Sequence, residues 1–214
     1  MSDTPCPCRG DGEASRNTEP SAARIVDADP LDTELPRELR VALGRFLGSA
    51  PVYTLGEWAI EVRRRVDGGS VGIEELCVTD ERTDHRGTVD GRRYHFACFY
   101  DAVLLAALEG QPVDIRTKSP GGTVIEARAA GSRDLTVTPK EAVFSFGIDE
   151  SVAPPSDDGP TLERGYAAIC PYVNAFPHPD AYERWARAAP AATVAIPLDG
   201  ATDLAVELVR DPSA

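Results

Sequence analysis

The stretch Arg93-Tyr94-His95-Phe96-Ala97-Cys98-Phe99-Tyr100-Asp101-Ala102-Val103-Leu104-Leu105 carries an aromatic, strand-like run straight into an apolar helix. Tyr94, His95 and Phe96 predict a short strand. Residues 97–108 predict a buried helix, apolar on nearly all sides and closed by Gly110. Asp101 is the only charged residue between Arg93 and Glu109. A carboxylate in such a segment is costly unless it is paired or has a task. Burial would raise its pKa and suit it to carrying a proton. Cys98 lies three positions earlier, a spacing that puts both side chains on one helical face. A plainer reading stands beside this one. In it, Asp101 is a helix N-terminal acid accepting backbone hydrogen bonds, and Cys98 a small core residue.

Downstream, residues 113–117, 123–129 and 142–148 read as strands, the first two joined by the turn Ser119-Pro120-Gly121-Gly122. A polar loop follows at 152–159. Residues 167–176 read as a strand with Cys170 just before Pro171, 181–188 as a helix, 193–196 as a strand and 202–209 as a last helix. Upstream, Leu39, Leu43, Phe46 and Leu47 recur at helical spacing, and Gly48 ends that helix. Thr54 caps a second helix carrying Trp58, Val62 and Val66, which Gly68-Gly69 stops. Residues 73–77 suggest a short helical piece, and 79–90 are polar and turn-rich. The fold class is therefore α+β: a small N-terminal helical bundle, then a mixed β-sheet core with flanking helices. The expected organisation is a disordered acidic tail at 1–30, a helical domain at 31–90 and an α+β catalytic domain at 91–214.

The chain has 214 residues and a formal net charge of -13. That surface repels phosphates and anionic lipid, which disfavours nucleic acid and membranes as partners. Lys118 and Lys140 are the only lysines. The charge balance reads as a halophile-like, high-salt setting, where screening tolerates dense carboxylates; the alternative is a high-GC genome that favours Arg. No apolar run approaches the roughly 18 residues of a bilayer span. With no basic-then-apolar leader pattern, the expected location is cytoplasmic.

The five cysteines are Cys6, Cys8, Cys77, Cys98 and Cys170. An odd number without CxxC pairs points to free thiols used for packing, soft-metal binding or chemistry, and not to a disulfide framework or zinc site. Cys77 reads as packing. His95, beside the reactive segment, and His178, between two prolines, receive no role.

With Cys98-Phe99-Tyr100-Asp101 leading into an apolar helix, with Val137-Thr138-Pro139-Lys140-Glu141, and with Cys170-Pro171-Tyr172-Val173-Asn174-Ala175-Phe176 before a Trp185-containing helix, the chain resembles the alkylmercury lyase family. The agreement in order and spacing covers roughly residues 92–189. The resemblance implies that Cys98, Asp101 and Cys170 are the catalytic set, that the two cysteines and Asp101 contact the mercury of substrate and product, and that no added cofactor is needed. It also implies an organomercurial substrate, small thiols as partners and a mercuric reductase as recipient of Hg(II).

The chemistry suits these residue types. Mercury(II) is a soft cation that prefers thiolate. A second thiolate weakens the Hg–C bond, and a carboxyl group delivers a proton to the departing carbon. Phe96, Phe99, Tyr100 and Tyr172 are either pocket walls for an apolar group or ordinary core. Cys6-Pro7-Cys8 is either a soft-metal chelator for transfer or incidental. The competing function is a thiolate-based Cu(I)/Hg(II) binding protein or metallochaperone that uses Cys98 and Cys170 on the same fold. A binder has no need of Asp101, whereas a protonolytic enzyme does.

Overall fold

The computed structural model describes residues 29–66, 69–130, 134–156 and 159–210. Most of the expected tail, with Cys6 and Cys8, lies outside them. The first helix, α1 (Arg37–Leu47), buries Leu39, Leu43, Phe46 and Leu47 and ends at Gly48 in the left-handed region. In α2 (Leu55–Arg63), the Thr54 side chain accepts the Glu57 N–H and caps the helix. A single 3-10 turn, Ile73–Glu75, follows.

Among the described residues, nine strands form two sheets. The larger has the order β1 (Val78–Thr79), β3 (Arg92–Phe96), β2 (His85–Val89), β4 (Val113–Lys118), β5 (Val124–Ala130), β6 (Asp134–Thr138). The smaller has β7 (Val143–Asp149) between β8 (Ala175–Phe176) and β9 (Ala191–Pro197). The mixed sheet expected for the core is thus two sheets whose neighbouring strands all pair antiparallel. Four more helices complete the α+β fold: α3 (Tyr100–Glu109), α4 (Leu162–Ile169), α5 (Pro179–Ala186) and α6 (Ala201–Val209). None of the described helices is long and apolar enough to cross a membrane.

Two local expectations are corrected, and one further strand is found. The polar segment 79–90 contains β2, paired with β3 and β4. The β2–β3 hairpin turns on Asp90-Gly91, both at positive φ, the type of two-residue turn that matches strand twist. Asp134–Thr138 also forms a strand, β6, against β5, and buries Val137. Residues 167–176 are not a continuous strand. Thr161 accepts the Arg164 N–H and starts α4, which passes into the 3-10 turn Cys170–Tyr172, leaving only Ala175–Phe176 extended. Two alanines and a capped N-terminus favour helix there, and Pro171, which lacks an N–H, shifts the chain into the tighter turn.

One contiguous core joins α1 and α2 to α3, α6 and both sheets. Trp58 of α2 packs edge-on against Phe146 of β7, with ring centroids 5.7 Å apart. The turn after α1 folds back onto its helix at Gly44, where a Cβ would lie 2.7 Å from the Ala50 carbonyl oxygen and 2.9 Å from Pro51 Cα. Gly44→Ala improves helix propensity, yet the backbone contact must move. The expected net result is a loss of about 1–3 kcal/mol, the usual cost of overpacking, read as a lower thermal midpoint. A midpoint at or above wild type would show that the turn yields freely.

Candidate active site

Cys98 sits in the bend between β3 and α3, one residue before the helix N-cap Phe99. The helix starts at Tyr100, so Cys98 and Asp101 do not share a helical face as the spacing suggested. The bend brings them together instead, on the wall of one cavity. Asp101 is the second residue of α3. Its Oδ2 accepts the backbone N–H of Cys77 at 3.1 Å, across from the chain entering β1. Cys170 lies at the junction of α4 and its 3-10 turn. Cys98 and Asp101 are 4% and 7% exposed, which puts both beyond easy reach of bulk water, whereas Cys170 and Cys77 are half-buried.

Cys98, Asp101 and Cys170 line one cavity of about 170 Å³. Phe46 and Trp58, from the front helices, and Phe144 and Phe146, from β7, supply much of its apolar wall. Its volume and largely apolar wall suit a small hydrocarbon group. Of the aromatic residues the sequence offered as walls, Tyr100 lines the cavity, and its hydroxyl donates to the Ala201 carbonyl at 2.7 Å. Phe96 and Phe99 are core. Tyr172 faces Asp149, its hydroxyl 3.4 Å from the carboxylate.

Burial raises the Asp101 pKa to about 6, and the Cys77 N–H and the Cys98 and Cys77 thiols only partly oppose that rise. The Cys170 thiol is pushed up, first by the Cys77 and Cys98 thiols beside it, then by burial and by negative charge on Cys98 and Asp101. Once one thiol of such a group ionises, the others resist doing so until a cation shares the charge. Tyr166 of α4 is driven up to about 12 by burial and by the neighbouring charges of Cys77, Asp101, Cys170 and Glu75. Its hydroxyl donates to the Glu75 carbonyl at 2.5 Å, tying α4 to the segment before Cys77. Among the described residues, no three His, Cys, Asp or Glu side chains are arranged to hold one ion. A linear two-thiolate substrate complex needs only two.

Cys77, read from the sequence as packing, also touches the cluster, because its N–H donates to Asp101 Oδ2. Nothing in its flanking pattern distinguishes it; the only signal was its being a further unpaired cysteine. Tyr166 was missed because its segment reads as strand. His95 accepts the Thr83 N–H at 3.3 Å through Nδ1, a structural contact.

The family model described as alkylmercury lyase matches residues 78–210, more than half of the chain. The chain therefore belongs to the alkylmercury lyase family and is an enzyme of that class. Among solved structures, one described as the mercury-bound form of MerB2 is similar at 15% identity and a TM-score of 0.48, covering 81% of this chain and 91% of that one. A search of the curated proteins returned no match.

Proposed function

We propose that the protein cleaves R–Hg⁺ by protonolysis, with Cys98 and Cys170 as the mercury-binding thiols and Asp101 as the proton carrier. One observation carries this reading: residues 72 positions apart in sequence (170 minus 98) line the same, largely apolar cavity as a carboxyl group of raised pKa. The two thiols bind mercury as thiolates and release their protons. One proton passes through Asp101 to the carbon, which takes the electron pair of the breaking C–Hg bond. The products are R–H, a protein-bound bis-thiolate Hg(II) and one free proton. Charge and atoms balance without an oxidant, a reductant or an added cofactor. Removal from water strengthens the pull of the carboxylic acid on the developing carbanion.

On this reading the product passes to small thiols or to a mercuric reductase. The cytoplasm is the fitting compartment, because its reductants keep Cys98 and Cys170 free. The acidic, lysine-poor composition fits a high-salt interior.

The test mixes purified protein with methylmercury and excess small thiol. Methane in step with protein-bound mercury is the expected result. Mercury binding without methane would replace the lyase reading with the soft-metal binding protein.

A further inference from the structure

Release of the product poses a geometric problem. Cys98 is almost fully buried, so an outside thiol reaches a mercury atom less readily from that side than from the half-buried cysteines. Cys170 is half-buried, and so is Cys77. Two backbone hydrogen bonds hold Cys77 against the cluster. Its N–H donates to Asp101 Oδ2 at 3.1 Å, and its carbonyl accepts the N–H of Ala97, next to Cys98, at 3.0 Å. Tyr166, one helical turn before Cys170, donates to the Glu75 carbonyl at 2.5 Å and so ties α4 to the segment that carries Cys77, while Cys170 also lines the cavity with Cys98; Cys170 can therefore belong to either of two pairs, one with the buried thiol and one with the partly exposed thiol.

Building on the proposed roles of Cys98 and Cys170, we infer that Cys77 is a relay thiol, which takes Hg(II) from Cys98 while Cys170 keeps hold of it and so moves the product from the buried pair to the outer Cys77–Cys170 pair. The step is a ligand exchange. The Cys77 sulfur forms a bond to mercury, the Cys98–mercury bond breaks, and the Cys77 proton passes to the Cys98 sulfur with Asp101 between them. Mercury is two-coordinate before and after, and three sulfurs share it only in passing. Soft-metal thiolates favour such an exchange because no bond is lost before another forms.

The test loads Hg(II) itself, so that it does not depend on carbon–mercury cleavage, and uses full chains in which Cys6 and Cys8 are serine. Mercury X-ray absorption counts the bound sulfurs. Cys98→Ser is expected to keep two, from Cys77 and Cys170, and Cys98→Ser with Cys77→Ser only one. An entering thiol within the protein has a high effective molarity, so Cys77→Ser, or Cys77→Ala as a packing control, is expected to slow Hg(II) transfer to an external dithiol by at least about tenfold. One sulfur in Cys98→Ser, or wild-type release from both Cys77 variants, would overturn the relay. Cys77→Ser itself should hold two sulfurs through Cys98 and Cys170. If it does not, the underlying mercury pair is wrong, a failure separate from that of the relay.

Discussion

Asp101→Asn is expected to lower hydrocarbon release by about 10²–10⁴-fold, the range for losing a general acid, while Hg(II) binding through Cys98 and Cys170 survives. Asn keeps the shape and can still accept the Cys77 N–H, so the loss reports the proton and not the scaffold. The same variant should be more stable at neutral pH. Folding raises the Asp101 pKa from 3.8 to about 6, so the native state carries a cost for ionising this buried carboxyl group. That cost is absent below the unfolded value and grows as pH rises through 6. It levels at about 3 kcal/mol at most, taking about 1.4 kcal/mol per pKa unit. Thermal melts of wild type and Asp101→Asn should therefore converge near pH 4 and separate by pH 8, with Asn the higher. Equal turnover in the two proteins would remove the carboxyl group from the mechanism. Equal melts at all pH values would mean that Asp101 is not desolvated as described.

Cys98→Ser and Cys170→Ser should each reduce hydrocarbon release to the uncatalysed background. A hydroxyl is a hard ligand that mercury(II) accepts poorly in place of thiolate. With one thiolate left in the cleaving pair, the Hg–C bond is not weakened. The two variants should differ in what remains bound. Cys170→Ser removes the thiol common to both proposed pairs and should lose Hg(II) most readily to a competing dithiol. Gas chromatography of the released hydrocarbon, with the protein-bound metal measured in parallel, separates cleavage from binding. Full turnover by either serine variant would break the two-thiolate mechanism.

Much of the scaffold was legible because its signals are local. Gly48 and Gly110 end helices by adopting positive φ, and Thr54 caps α2 through its own side chain. The β4–β5 hairpin follows its Ser119–Gly122 turn, where the Gly122 N–H donates to the Ser119 carbonyl at 2.8 Å. Strand β2 was hidden because its residues are polar. The Asp90-Gly91 hairpin signal was present in the sequence, and it outweighed the missing apolar alternation. The segment around Cys170 misled for the opposite reason, since a short apolar run reads equally as strand or helix until tertiary packing decides.

By itself, the sequence determined the residue types and their order: two soft thiols, one acid without a local partner, and the apolar spans that had to be buried. Those choices rest on side-chain chemistry and short-range periodicity, which need no knowledge of distant contacts. Only the tertiary structure decided which groups meet. It set Cys98 in a bend instead of on a helix, brought α4 across so that Cys170 reaches the same cavity, and walled that cavity with Phe46 and Trp58 from helices that read as a separate unit. It also delivered Cys77 to Asp101 through a single backbone hydrogen bond. The reason is physical. The raised pKa of Asp101 and the mutual crowding of the thiols arise from burial and proximity across the fold, and neither is a property of any short stretch of chain.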